Sequence, residues 1–187
     1  MKKIIFLFTL AAFSFAFIQL TEAYKKDEPQ YIPPSKQRTG DAAKGYEYLI
    51  TGDYLKSGIP YSFFFMGAPK DSNNYLQRSG LNKNLSHDFT AVQAPNGEMV
   101  VAPNCLQCHA QFFDGKLIVG LGNSFSDFTM NRAGTALIAE NFLKNLKGEQ
   151  AKKYEAAKNF LTALKTISPN LVTGTKGVNL ADGLANL

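Results

Sequence analysis

The chain of 187 residues contains only two cysteines and two histidines, and it has no tryptophan. A structural zinc site takes four Cys or His ligands, and Cys105, Cys108 and His109 leave only the distant His87 as a fourth. A thioredoxin-like redox pair is expected at a strand-to-helix junction in a βαβ pattern, and no such pattern surrounds these cysteines. Both of these uses of a Cys-x-x-Cys pair are therefore disfavoured.

The two cysteines belong instead to one short segment, Cys105-Leu106-Gln107-Cys108-His109. This Cys-x-x-Cys-His spacing is that of a c-type haem attachment site. Two thiols three positions apart reach the two vinyl groups of one haem, and the adjoining histidine becomes an axial ligand of the iron. The sequence predicts one covalently bound haem c, held by Cys105 and Cys108 with His109 as proximal ligand. A plain disulfide is the alternative, but it leaves His109 unexplained.

The N-terminus has the pattern of an export signal. Lys2 and Lys3 precede an apolar run from Ile4 to Leu20, and small residues follow in Thr21-Glu22-Ala23, as signal peptidase requires. We expect cleavage after residue 23. An uncleaved membrane anchor is the alternative, because the run is about long enough to span a bilayer. In both cases the haem motif is exported, periplasmic or otherwise, and covalent haem attachment normally takes place outside the cytoplasm.

The rest of the chain predicts a linker followed by one domain. Residues 24–40 carry charges and three prolines with little apolar content, which is typical of a disordered linker. Residues 41–187 are predicted to form a c-type haem domain, truncated at the C-terminus if the chain is part of a longer one. We expect its fold to be mainly α, a cytochrome c-like haem domain with short β-hairpins flanking the haem motif. Its first helix is predicted to start after Asp41 and to end at Gly52.

Two hairpins and two long helices are predicted in the remainder of the domain. One hairpin pairs residues 90–93 with 99–102, and the other pairs residues 111–113 with 116–119 around Asp114-Gly115, a strong turn signal. Ser126 and Asp127 are predicted to cap a helix that runs through Phe142. A second helix is predicted over Glu149–Ile167, where apolar residues recur on one face.

The order of these features resembles the N-terminal haem region of large di-haem cytochromes. The shared order is Cys105–His109, an Asp-Gly hairpin, Gly-Leu-Gly-Asn, and a Ser-Asp-Phe segment before two long helices. Bacterial di-haem cytochrome c peroxidases and rubber-oxygenase-like proteins are the families concerned. The resemblance covers about Asp41 to Leu164 and implies the same thioether positions and proximal ligand. Such proteins usually carry a second Cys-x-x-Cys-His, so this chain is expected to be a shortened single-haem relative or the front portion of a longer reading frame.

The sixth iron ligand decides what such a haem does. A haem saturated by histidine and methionine transfers electrons, whereas an open position allows oxygen or peroxide to bind. Met130 and His87 are the candidates for the distal ligand, followed by Met66, Met99 and no protein ligand at all. Each has an ordinary structural alternative, because methionine is a common core filler and a loop histidine is commonly solvated.

Taken together, these features predict a periplasmic one-electron carrier or an electron-entry domain. The alternative is a peroxidase-like or oxygenase-like haem enzyme, which needs an open distal site with acid–base groups. The scarcity of histidine favours the carrier. The formal net charge of +5 suits an acidic redox partner protein. Nucleic acid is not expected as a partner, because no basic-aromatic stripe is present, and a membrane is expected only if the leader is uncleaved.

Overall fold

The structure, a computed structural model, describes residues 33, 36 and 39–178. The predicted leader, most of the predicted linker and residues 179–187 lie outside the described residues. The chain divides into two units, Met1–Thr39 and Gly40–Leu187, and all the helices and strands below belong to the second. Among the described residues, none of the helices combines the length and the hydropathy that a membrane crossing needs.

The first helix, α1 (Ala42–Thr51), forms where the sequence predicts it. The Oδ1 of Asp41 accepts two backbone N–H groups of the first turn, at 3.0 and 3.1 Å, and so satisfies donors that have no partner within the helix. Gly52 ends the helix by donating its N–H to the carbonyl of Tyr48 at 2.7 Å. A Cβ at Gly52 would collide with that same oxygen, so the stop requires glycine.

Three short antiparallel strands form the first sheet: β1 (Ile59–Pro60), β2 (Phe89–Gln93) and β3 (Met99–Pro103), in the order β1-β3-β2. β2 and β3 form the first predicted hairpin, with Gly97 in the turn at a φ of +83°. A short helix, α2 (Tyr61–Phe64), follows β1 directly. The buried residues of the sheet pack against the last helix of the domain: Val92, Ala94, Val100 and Ala102 against Ala156.

The second sheet follows the haem motif without a break. The motif forms a one-turn helix, α3 (Leu106–His109), and the chain continues into β4 (Ala110–Phe113) and β5 (Lys116–Val119). Asp114 and Gly115 make the turn of this second predicted hairpin with φ angles of +48° and +71°, as a two-residue hairpin turn requires. The inner face of the sheet packs beneath the motif, in a cluster of Ile50, Leu106, Ala110, Leu117 and Val119.

Two longer helices, α4 (Ala133–Lys144) and α5 (Lys152–Ile167), pack on each other. Their shared core contains Ala136, Leu143, Ala157 and Leu161. The prediction that a helix begins at Ser126 and Asp127 is wrong. The Oδ1 of Asp127 accepts the backbone N–H of Thr129 at 3.0 Å and its hydroxyl at 2.6 Å, a local turn that competes with helix formation.

The predicted fold class, mainly α and cytochrome c-like, is also wrong, because the domain is a mixed α and β structure. The stretch between α1 and the haem motif accounts for the difference. Runs of β-branched residues favour strands over helix, and in this stretch they form β2 and β3. The two long helices then pack on each other and on the first sheet, instead of enclosing the motif between helices.

A buried arginine joins several of the loops that separate these elements. The guanidinium of Arg78, 5% exposed, donates to the carbonyls of Leu85 at 2.6 Å, Phe89 at 2.7 Å and Ser86 at 2.9 Å, with a longer bond of 3.4 Å to Ile50. The planar fork of arginine reaches carbonyls in several directions at once. Arg78 thereby links the end of α1, the segment before β2 and the start of β2.

Arg78→Lys is expected to destabilise the domain by about 2–4 kcal/mol, because a single ammonium leaves some of these buried carbonyls without a donor. Urea unfolding followed by circular dichroism measures the change. Arg132→Lys is the matched control, since Arg132 is exposed and should change stability by less than about 0.5 kcal/mol. Equal stability of the two variants would contradict a supporting role for the Arg78 fork.

Candidate functional site

The candidate site is built on α3, the single turn that carries the haem motif. Cys105 already has helical backbone angles, φ −59° and ψ −25°, and its carbonyl accepts the N–H of His109 at 3.0 Å. Both cysteines are half-buried thiols. Leu106 is fully buried between them, whereas His109 is exposed. The turn is therefore anchored by its apolar residue, and its chemically reactive groups lie nearer the surface.

A buried asparagine fixes the start of this turn. The backbone N–H of Asn104 donates to the carbonyl of Asp88 at 3.0 Å. Its Nδ2 donates to the carbonyl of His87 at 3.0 Å and to the hydroxyl of Thr90 at 2.9 Å, and its Oδ1 accepts the N–H of Leu106 at 2.9 Å. Asn104 thus ties the first N–H groups of α3 to β2 and the segment before it.

The end of the turn is held by residues 120–126, here called the 120–126 loop. A helix end leaves carbonyls without a partner inside the helix. The N–H of Gly120 donates to the carbonyl of His109 at 2.7 Å, and the N–H of Asn123 donates to that of Cys108 at 2.9 Å. The Nδ2 of Asn123 donates to the carbonyl of Gln107 at 3.1 Å. Three successive carbonyls of the motif are therefore satisfied by one loop.

A cavity of about 420 Å³ lies beside the motif, within the size range of cofactor sites. Its walls come from the end of α3, the 120–126 loop, the segment after that loop and the C-terminal residues of the described structure. The lining residues are Cys108, His109, Gly122, Asn123, Ser124, Phe128 and Gly177.

The C-terminal segment closes one side of this cavity. Gly177 has a φ of +76°, and a Cβ there would collide with the carbonyl of Ser124. Its N–H donates to the carbonyl of Ser126 at 2.8 Å. Nearby, Lys176 pairs with Asp127 at 3.2 Å. The pKa of Asp127 is lowered to about 2, first by its hydrogen bonds from Thr129 and then by Lys176.

The structure brings two of the three predicted haem-binding residues to the cavity. Cys108 and His109 line it, but Cys105 does not. Cys105 lies one turn earlier, close enough to Tyr54 to influence its titration: burial raises the pKa of Tyr54, and the nearby thiol adds to the rise.

Neither candidate for the distal ligand lines the cavity. Met130 lies two residues beyond Phe128 with its side chain 66% exposed. His87 is half-buried and its ring packs edge-on against Phe112, with 5.7 Å between ring centroids. Burial lowers the pKa of His87, against the opposing effect of Asp88. The distal assignments stay predictions.

The two lesser candidates are also elsewhere: Met66 is 72% exposed beyond α2, and Met99 begins β3. Within the described part of the chain, no three His, Cys, Asp or Glu side chains are grouped as they would be to hold a bare metal ion.

Sequence reasoning missed the two asparagines that hold the motif. Asn104 directly precedes a helical turn. An asparagine at such a position frequently accepts an N–H group of the turn, so the sequence alone could have predicted this contact. Asn123 belongs to the Gly-Leu-Gly-Asn segment. The resemblance of that segment to di-haem cytochromes does not indicate which groups Asn123 bonds.

Comparison with known proteins gives no relative: no protein-family model matches the chain, nor does any curated protein or solved structure.

Asp127→Asn is expected to make the stability of the domain less dependent on acid. A carboxyl whose pKa is lower in the folded state stabilises the fold fully above its unfolded pKa, and this contribution is lost as the pH falls through the folded value. For Asp127 these values are 3.8 and about 2. The variant should melt at a lower temperature than the wild type near neutral pH, and the difference should disappear between about pH 4 and 2.

Thermal unfolding followed by circular dichroism at stepped pH measures this difference. Asp114→Asn is the matched control, because Asp114 lies in the exposed turn of the second hairpin. A difference between wild type and Asp127→Asn that is constant across the pH range would show that the carboxylate does not act through its charge.

Proposed function

We propose that the chain binds one haem c covalently through Cys105 and Cys108, with His109 as the proximal iron ligand, and acts in electron transfer outside the cytoplasm. Its role is that of a one-electron carrier or an electron-entry domain. One observation carries the proposal: Cys108 and His109, adjacent residues of a Cys-x-x-Cys-His motif, line the same cavity of about 420 Å³.

The residues around the cavity fit a porphyrin in their chemistry. Cys105 and Cys108 are both half-buried, and a cysteine thiol is the group that adds to a vinyl group. The exposed imidazole of His109 supplies a nitrogen ligand of the kind that haem iron takes. Phe128 offers an apolar wall, and Gly122 and Gly177 leave backbone without side chains at the cavity surface.

A bound haem supplies a one-electron iron couple, and the chain adjusts it by ligand identity, hydrogen bonding and burial. Asn104 and the 120–126 loop fix both ends of α3, so the backbone that carries Cys108 and His109 is held rigidly. Phe128 lowers the polarity of the cavity, whereas Asn123 and Ser124 raise it. The balance between these contributions is the means by which this protein would set the reduction potential.

A haem enzyme of peroxidase-like or oxygenase-like type is the second candidate, and one observation favours it. Neither Met130 nor His87 lines the cavity, and a haem with no second protein ligand binds oxygen or peroxide. The side chains at the cavity favour the carrier: among the described residues, those that line the cavity include no Asp, Glu, Lys or Arg. Peroxide chemistry needs positioned acid–base groups of this kind.

We propose an acidic redox protein as the partner, in the periplasm or another exported location. The formal net charge is +5 for the whole chain and stays positive without Lys2 and Lys3 of the predicted leader, which supports electrostatic steering of such a partner. The export signal at residues 1–23 supports the location.

Covalent haem attachment is tested by producing the chain in a host with haem-ligation machinery. We expect a red protein whose haem stays with the polypeptide under denaturing conditions. Cys105→Ala and Cys108→Ala should each leave one vinyl group unreacted, which shifts the α-band of the pyridine haemochrome to longer wavelength. The double variant should release its haem on denaturation. A colourless wild-type protein, with its sulfurs reduced or joined to each other, would refute the proposal.

Met130→Ala is expected to convert the ferric haem from low to high spin. Met130 does not line the cavity, but it lies two residues beyond Phe128, which does, and the sequence makes it the first candidate for the distal ligand. His87→Gln should leave the spectrum unchanged, because the ring packs against Phe112. Met66→Ala is the matched control for an exposed methionine. A wild-type haem that is already high-spin and shifts with cyanide would favour the enzyme instead of the carrier.

A further inference from the structure

We propose that Asn123 is a positioning residue for the haem, holding the end of α3 so that Cys108 and His109 keep their direction into the cavity. This inference rests on the proposed function and concerns a residue outside the Cys-x-x-Cys-His motif. It is carried by the hydrogen bonds that join the 120–126 loop to the motif.

Asn123 makes two contacts with successive residues of the motif. Its backbone N–H donates to the carbonyl of Cys108 at 2.9 Å, and its Nδ2 donates to the carbonyl of Gln107 at 3.1 Å. The hydroxyl of Ser126 donates to the same Gln107 carbonyl at 2.9 Å. A single helical turn has too few internal bonds to fix its own end, so these external donors determine the backbone geometry there.

Asn123 is itself fixed, which a positioning residue must be. Its Oδ1 accepts the N–H of Phe125 at 3.1 Å. The next residue, Ser124, donates both its N–H and its hydroxyl to the Oε1 of Gln111, at 2.7 and 2.9 Å. Gln111 belongs to β4, so the loop is attached to a strand as well as to the motif.

Asn123 also lines the cavity together with Cys108 and His109. One residue therefore contacts the backbone of Gln107 and Cys108, directly before His109, and forms part of the wall that the haem would face. Groups that orient a metal ligand without touching the metal commonly change affinity or activity by about 10–100-fold when they are altered. Loss of the Asn123 contacts should accordingly change the haem site, and not only the stability of the loop.

Asn123→Asp, in the haem-loaded full chain, separates an effect on the haem site from an effect on the stability of the loop. The carboxylate is nearly the same size as the amide and keeps the acceptor for Phe125. It replaces the Nδ2 donor by an oxygen that repels the Gln107 carbonyl. We expect the affinity of the ferric haem for added imidazole to change about tenfold relative to the wild type, because the backbone that carries Cys108 and His109 is no longer held in place. The Soret circular dichroism and the midpoint potential should shift as well.

Asn145→Asp is the matched control, because the Nδ2 of Asn145 donates to the carbonyl of Asn141 at 2.8 Å on the exposed end of α4. It should leave imidazole affinity, Soret dichroism and midpoint potential at the wild-type values. A haem-loaded Asn123→Asp protein that matches this control in all three, whatever its melting temperature, would overturn the positioning role.

If Asn123→Asp does not fold, Asn123→Ala provides the test, since it removes the same Nδ2 donor to the Gln107 carbonyl without adding a charge. The same shift in Soret dichroism, smaller in amplitude, is expected, and an unchanged Soret signal would overturn the inference. A wild-type chain that takes up no haem overturns the proposed function and this inference together. A haem-loaded wild type with insensitive variants overturns the inference alone.

Discussion

The rest of the structure depends on the hydrogen bonds that two buried side chains, Arg78 and Asn104, make to the segment Leu85–Thr90. Arg78 donates to its carbonyls from within the core. The Nδ2 of Asn104 donates to the His87 carbonyl and to the Thr90 hydroxyl of the same segment. Buried polar groups cost free energy unless they find partners, so the stretch can lie only where both side chains reach it. Because the Oδ1 of Asn104 also accepts the N–H of Leu106, these hydrogen bonds also fix the position at which the Cys-x-x-Cys-His motif begins.

The domain that results differs in kind from a bundle of helices around a cofactor. Its longer helices, α4 and α5, bury a core of their own and brace the three-stranded sheet. The motif lies between the two sheets, with Leu106 in a separate cluster beneath β4 and β5. Rigidity at the motif thus comes from strands and from side-chain hydrogen bonds, whereas in an all-helical domain it would come from helix packing. The chain reaches a comparable local constraint by a different architecture.

Local signals in the sequence predicted local structure well. Asp41 and Gly52 bound α1, and Asp114-Gly115 turns the second hairpin, because each effect acts within a few residues. Long-range effects were out of reach. Asp127 is of a residue type that commonly caps helices, but it accepts a hydrogen bond from Thr129 and pairs with Lys176. Nothing near Asp127 in the sequence indicates that the C-terminal segment contacts it. The cavity could not be predicted either, because Gly177 and Cys108 come together only in the folded chain. The five residues of the motif predict haem attachment without it.

The close approach of Gly177 to Ser124 has a consequence for the shape of the cavity. One wall of the cavity comes from a segment far along the chain from the Cys-x-x-Cys-His motif, and there is no room for a side chain where Gly177 meets Ser124. A larger residue at position 177 would displace either the 120–126 loop or the segment that carries that residue. The shape of the cavity therefore depends on a glycine that is distant in sequence from the motif beside which it lies.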